Sequence, residues 1–346
     1  MGRLKTIIEN RLDARRAVPD AGLSRDDRLA AVRQWGDFTQ AYSTAVQGGL
    51  RHFGGRDGYI AYGVKQGAVV ALADPVAPPE RRAGLVRDFV EAAGRPAFAE
   101  ISRETAEILA PLGYRIALMG FDTALDLATY DYSGPKKEKH RYSERWVEKR
   151  GFRIVEAEAG EGADAAVADL SERWRGSRVV KRREMAFMNR PLPREADPEM
   201  RRFLLVAPEG AVDSLLYFDP IHRDGQVIGY AAVFKRRSPD TTSNAELALM
   251  KRAVDTFRAE GREIVMLSLA PLAGIEPSGY RESAAFRFVL DRLFRSKLVN
   301  DKVFNIQGHA EQRRRAYGRS VPRYFAWGRG SPFTQVIAML RLCKAF

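Results

Sequence analysis

The chain has one cysteine, Cys343, so no internal disulfide can form and a reducing compartment fits it best. Histidine is nearly as scarce. His52, His140, His222 and His309 are scattered, with no carboxylate at a ligand spacing from any of them, so no metal site is expected. No apolar run reaches the length a bilayer-crossing helix requires. The N-terminus is charged and lacks the continuous apolar core of a secretory signal. Also missing is a Gln/Arg-x-x-Gly-x-Gly/Ala turn, whose backbone amides would hold a pyrophosphate at a helix N-terminus. Arg81-Arg82-Ala83-Gly84 is the nearest approximation.

What remains is an ordinary globular composition, 45% hydrophobic and 29% charged, over 346 residues, enough for two domains with their own cores. Basic residues outnumber acidic ones 57 to 44, a net charge of +13. The excess is focused. Residues 301–346 hold nine Lys/Arg against two Asp/Glu, and residues 136–153 hold eight against three. Such focusing favours a phosphate-rich partner, either nucleic acid or an anionic membrane, and does not separate the two.

Residues 1–38 read as helical, with Leu4, Ile7, Ile8 and Leu12 on one face, then Leu29, Val32 and Trp35. Next, Tyr59-Ile60-Ala61-Tyr62 and Val69-Val70-Ala71-Leu72 flank a Lys65-Gln66-Gly67 turn as a hairpin. A helix over 80–93, a strand over 97–101, a helix over 103–112 and one or two strands over 116–127 follow. After a basic helical stretch the pattern restarts: a strand at 152–157, a helix at 163–174, and a hairpin of 214–219 and 227–234 across Arg223-Asp224-Gly225. A helix over 244–260 and a strand over 264–269 complete it. Hairpin, long helix and strand thus occur twice. The fold class is α+β, with tandem acetyltransferase-like (GNAT) units whose mixed, largely antiparallel sheets are joined by a basic helix. The expected division is 1–133, a linker helix at 134–151, and 152–346, which ends in an amphipathic helix through Phe333, Val336, Ile337, Leu340 and Cys343. That helix suits either a docked core element or an anionic membrane interface.

One ordered series of motifs is more specific. Ala270-Pro271-Leu272-Ala273-Gly274 is followed by Phe304, Gln307 and Gly308, then by Arg313, Arg314 and Arg315, then by Pro322-Arg323-Tyr324. Upstream stand Leu72-Ala73-Asp74-Pro75, Ala124-Leu125-Asp126-Leu127 and the basic stretch from Gly134 to Gly151. Over residues 40–328 this series resembles the cytosolic catalytic domain of the aminoacyl-phosphatidylglycerol synthases, the lysyl-phosphatidylglycerol synthetase type. Members usually carry a membrane-spanning flippase half, for which no matching apolar runs exist here. A lipid would then be met from the cytosolic face, by a cytoplasmic protein that is at most peripheral to the inner membrane.

The resemblance implies an aminoacyl-tRNA donor, a phosphatidylglycerol-like or other hydroxyl or amine acceptor, and no further cofactor. An aminoacyl ester is already activated, so positioning, a proton acceptor and oxyanion stabilisation suffice. Ser171, Trp174, Glu184 and Phe187 resemble the family's S-x-x-W…E-x-x-F segment. Glu184 is the first catalytic candidate, as recogniser of an ammonium or as base, with a surface salt bridge as the plainer reading. Arg236, followed by Arg237, matches the arginine of a D-L-M-R strand end, although the aspartate position falls on Val233. Ser268, Pro271, Gln307, Arg313 and Tyr324 belong to the segments expected to line the substrate cavity with Trp174. Lys137, Arg141 and Arg145 lie along one helix face as a phosphate track for tRNA, joined by Lys181 and Arg315; a solvated helix with Glu144 and Glu148 as ion-pair partners fits equally. Glu184, Arg236 and Gln307 should share one cationic passage between the halves. The competing readings are a CoA-dependent N-acyltransferase and a non-catalytic basic module that binds RNA or membrane.

Overall fold

The computed structural model describes residues 18–158, 161–177, 184–193, 197–302 and 304–345. The apolar positions Leu4, Ile7, Ile8 and Leu12 and the phosphate candidate Lys181 lie outside them. Two hairpins form where their turns dictate. Strands β2 (Gly58–Lys65) and β3 (Ala68–Leu72) meet at Gln66 and Gly67, with φ of 53° and 73°. Strands β8 (Val212–Arg223) and β9 (Gln226–Arg237) meet at Asp224 and Gly225, with φ of 51° and 77°. Two consecutive left-handed residues give the turn whose twist matches antiparallel strands. Each hairpin then feeds a helix and a parallel strand. β3 passes through α3 (Pro79–Ala92) to β4 (Ala97–Ile101), and β9 passes through α7 (Ser243–Ala259) to β10 (Ile264–Met266).

The remaining strands are β1 (Arg51–Gly55), β5 (Arg115–Asp126), β6 (Arg153–Glu156), β7 (Arg201–Val206), β11 (Ala270–Pro271) and β12 (Arg319–Trp327). All twelve belong to one sheet in the order β1-β2-β3-β4-β12-β5-β10-β9-β8-β7-β6, with β11 on β5. The two units are therefore fused edge to edge through β5 and β10. β12 comes from the end of the chain yet lies inside the first unit, between β4 and β5. The single long β5 covers the stretch expected as one or two strands, and β1, β7 and β12 have no counterpart among the expected elements.

Both faces of the sheet are covered, which is why β4 is buried at every residue. In the first unit Phe89 of α3 packs with Ile60, Tyr62, Phe98 and Tyr324. On the opposite face, α8 (Ala284–Arg295) and α11 (Pro332–Leu342) pack Phe286, Leu290 and Met339 on Val70, Ala99, Phe325 and Trp327. In the second unit α7 packs Leu249, Val254 and Phe257 on Phe203, Phe218 and Val265, together with Trp146 of α5 (Glu138–Lys149). Its other face carries Val167 and Leu170 of α6 (Glu161–Ser177). Helices α1 (Arg25–Trp35) and α2 (Ala41–Val46) bridge the halves, and α1 opens on a capping box between Ser24 and Asp27. Short helices α4 (Arg103–Leu109), α9 (Lys297–Lys302) and α10 (Ile306–Arg314) complete the chain, and α10 carries Gln307, Gly308 and Arg313 of the motif series.

Candidate active site

At the centre of the sheet β9 outruns its neighbour. β10 pairs with it at Gly229, Tyr230 and Ala231, so among the described residues Ala232 to Arg237 have β8 on one side and no paired strand on the other. Val233 is an extra residue in this stretch, because Phe218 pairs with Ala232 and Tyr217 with Phe234. Strand side chains alternate, so the bulge resets which face each later residue takes. Ala232 joins the core beneath α7, whereas Phe234 joins the core beneath α6. Arg236 follows Phe234 to the α6 face, and Lys235 and Arg237 take the other.

On the α6 face, Arg236 Nη2 donates to both oxygens of Glu184 at 2.8 Å, and Arg175 Nη1 donates to Oε1 at 3.0 Å. The Trp174 ring centroid lies 4.8 Å from the Arg236 guanidinium carbon. Arg236 is 4% exposed and Glu184 31%. Burial lowers the Arg236 pKa and the Glu184 carboxylate opposes that shift. On the α7 face, Glu246 in the first turn of α7 bridges Lys235 at 3.2 Å and Arg237 at 3.3 Å, and accepts from Gln312 at 3.0 Å. Burial pushes Glu246 up, but Lys235 and Arg237 outweigh it and leave it below the usual carboxylate range. Burial draws Lys235 down despite Glu246. Arg313 closes this side by donating to the Ser268 carbonyl at 3.3 Å, and burial lowers its pKa. Ser268 in turn holds the free edge of β9 through Ala232 O.

A second polar cluster lies in the first unit. Glu100 is the extra residue of β4 against β12, at φ 62°, and is buried. Gln40 Nε2 lies 3.1 Å from each of its oxygens, and burial lifts its carboxyl to about 8. Arg323 stands between Asp74 at 3.6 Å and Asp122 at 3.8 Å, and Thr39 donates to Asp122 at 2.6 Å. Between the clusters, Arg190 forms a buried pair with Asp219, which also accepts from Ser43 at 3.0 Å. The segment from Glu184 to Arg190 ties them together, since Gln40 also donates to the Met188 carbonyl at 3.0 Å.

The structure thus joins Glu184, Arg236 and Trp174, and on the opposite face it joins Arg237, Ser268 and Arg313. Others are separate. Gln307 is exposed in the first turn of α10, its backbone N–H donated to Asn300 Oδ1 at 2.9 Å. Tyr324 is 1% exposed and stacks edge-on with Tyr280, leaving its neighbour Arg323 to face the polar cluster. Pro271 pairs with Gly120 on β5; a Cβ on Gly120, at φ 142°, would lie 2.2 Å from the Ala270 carbonyl. Arg315 is exposed and paired with Glu311 at 2.8 Å. Of the three phosphate-track candidates Lys137, Arg141 and Arg145, Arg145 alone is exposed. Arg141 binds the Tyr132 and Gly134 carbonyls, and Lys137 lies 3.8 Å from the Tyr130 ring centroid, its pKa lowered by burial. Glu144 pairs with Lys251 of α7 at 2.9 Å, so this helix is docked as well as basic. Sequence reasoning missed Glu100, Asp122, Lys235 and Glu246. The signal for the first two was a carboxylate inside an apolar strand, in AFAEI and MGFDTAL.

The family profile of the phosphatidylglycerol lysyltransferase C-terminal domain matches residues 29–319. The chain belongs to that family. A Corynebacterium glutamicum protein of uncharacterised role is 23% identical over 249 residues, spanning 69% of this chain and 31% of its own length. Two solved structures share the lysyltransferase-domain fold. L-PGS from Bacillus licheniformis superposes with a TM-score of 0.74 at 17% identity, covering 94% of this chain and 98% of that one. A DUF2156 C-terminal domain named for lysylphosphatidylglycerol synthetase, from Agrobacterium fabrum, gives 0.73 at 20% identity, over 92% and 96%. Among the described residues of this family member, no helix is long and apolar enough to cross a membrane, and no group of three metal-ligating side chains could hold an ion.

Proposed function

We propose that this lysyltransferase-family domain moves an aminoacyl group from tRNA onto a phosphatidylglycerol-like lipid at the cytosolic membrane face. The observation that carries the reading is the ion pair of Glu184 with Arg236. Segments 52 residues apart close into a two-oxygen contact beside Trp174, at the unpaired end of the central strand. Carboxylate oxygens fixed in this way suit the ammonium of an aminoacyl group. Arg236, desolvated and aromatic-backed, suits the carbonyl oxygen on which charge develops as the acceptor hydroxyl attacks. The donor ester is already activated, so no step requires a cofactor. In this reading residues 1–133 and 152–346 form the two walls, 134–151 carries part of the tRNA contact through Arg145, and β12 locks the walls together.

The CoA alternative is disfavoured by what occupies the helix starts. α3 begins at Pro78-Pro79, which removes backbone donors, and α7 already holds its own Glu246 carboxylate in the first turn, satisfied by Lys235 and Arg237. Incubation with charged tRNAs and a lipid extract, read by mass spectrometry, tests the proposal. An aminoacylated lipid should appear with the intact chain and vanish with Glu184→Gln. Failure of any amino acid to leave tRNA for an acceptor would sink it.

A further inference from the structure

At the far end of β12 from Arg319, a cleft of about 310 Å³ is lined by Arg115, Arg281, Trp327 and Arg329 with three glycines, and no carboxylate lines it. The backbone sets the arginines around it. Arg115 pairs with Trp327 across β5 and β12, the Arg281 carbonyl accepts from Ile116 N–H at 2.9 Å, and Arg329 follows Gly328 in the next turn. A Cβ on Gly328 would lie 2.7 Å from the Tyr114 ring, so this turn is built for glycine. Among the described residues, none of the three guanidiniums has an ion-pair or side-chain hydrogen-bond partner, in a protein where most central arginines do. Beside them, the Trp327 indole N–H and the Tyr114 hydroxyl are buried without a hydrogen-bond partner. Three unpaired cations around one hollow call for an anion with several acceptor oxygens.

The neighbouring surface identifies the anion's source. Phe286 touches Trp327 at 5.2 Å between ring centroids and Phe333 at 5.5 Å, so the cleft floor continues directly into α11. There Phe333 and Ile337, one turn apart, are 42% and 43% exposed, and Phe288 of α8 is 65% exposed. Large apolar side chains held in water beside unpaired arginines match the boundary between phosphate and acyl chain better than they match a nucleic-acid backbone. We propose that this end of the molecule docks on an anionic lipid bilayer, with lipid phosphate in the Arg115–Arg281–Arg329 cleft and Phe333 and Ile337 in the acyl boundary. The purpose of the contact rests on the lipid-transferase reading, but the contact itself does not.

The test uses the full chain and flotation with phosphatidylcholine vesicles, with and without phosphatidylglycerol. Binding is expected only with the anionic lipid. Arg115→Gln/Arg281→Gln/Arg329→Gln should weaken it about a hundredfold and Arg329→Gln alone about fivefold, as expected for cations at a charged surface. Phe333→Ser/Ile337→Ser should weaken it independently of salt, while transfer to detergent-dispersed lipid stays unchanged in every variant. Thermal unfolding checks that each variant folds. The proposal is overturned if the intact chain ignores anionic vesicles or if the triple variant binds like the parent. It is equally overturned if inorganic phosphate competes fully and the apolar substitutions do nothing, or if an RNA hairpin shows the arginine dependence and vesicles do not. Vesicle binding without any aminoacyl transfer would defeat the transferase reading and leave this one standing.

Discussion

Arg236 and Glu184 each depend on the other. Replacing the carboxylate by an amide leaves a nearly fully buried guanidinium beside Trp174 with one neutral acceptor oxygen in place of two charged ones, and turns an NH2 donor toward it. Glu184→Gln should therefore cost about 1–3 kcal/mol in urea unfolding as well as abolishing transfer. Arg236→Lys separates the two effects. It keeps the charge and loses the fork, so stability should hold within about 1 kcal/mol while transfer collapses; a lysine variant with parental turnover would remove Arg236 from the chemistry. Glu100 makes a pH prediction. Its carboxyl is at about 8 folded against an ordinary 4.5. Between those values the folded chain keeps the proton and the unfolded chain does not, so stability falls as pH rises through that window and levels off above it. The slope from this group is at most about 1.4 kcal/mol per pH unit. Glu100→Gln should flatten the curve and raise stability at the alkaline end, readable as the urea midpoint across the window. An unchanged slope would mean the group is ionised in the fold.

At the scale of the element, one extra residue decides the site. The bulge at Val233 sends Phe234 and Arg236 to the α6 face and Lys235 and Arg237 to the α7 face. Deleting Val233 should restore plain alternation, move Arg236 away from Glu184 and expel Phe234 from its cluster. Loss of transfer with destabilisation of about 3 kcal/mol is expected, whereas Val233→Ala, which keeps the bulge, should retain activity. Activity surviving the deletion would show that the bulge is incidental. Val233 also explains how the strand lacks the aspartate of the resembled D-L-M-R pattern: the position is a partly buried apolar residue packed between two cores, not a group facing Glu184.

For the whole molecule, β12 is the decisive connection. It is central to the first unit, with Tyr324, Phe325, Ala326 and Trp327 buried between β4 and β5, although it arrives last along the chain. A chain ending before Arg319 should lose protection from hydrogen exchange throughout β3, β4 and β5, and retain it better in β7, β8 and β9. Full protection in the truncated first unit would show that β4 and β5 close on each other without β12.

The sequence by itself determined the local elements. The Gln66-Gly67 and Asp224-Gly225 turns, the periodicity of α3 and α7 and the twice-used hairpin–helix–strand order are short-range properties, set by φ preference and by which side chains lie a turn apart. It also carried Glu184, Arg236 and Trp174, because those residues sit in an ordered motif series. What only the tertiary structure decided were the long-range pairings: β12 inside the first unit, Tyr324 in the core with Arg323 at the polar cluster, Gln307 out in solvent, and Lys235 opposite Glu246. Which face a strand residue takes depends on bulges and on the partner strand's register. Those are set by packing between segments far apart in the chain, and no local pattern encodes them.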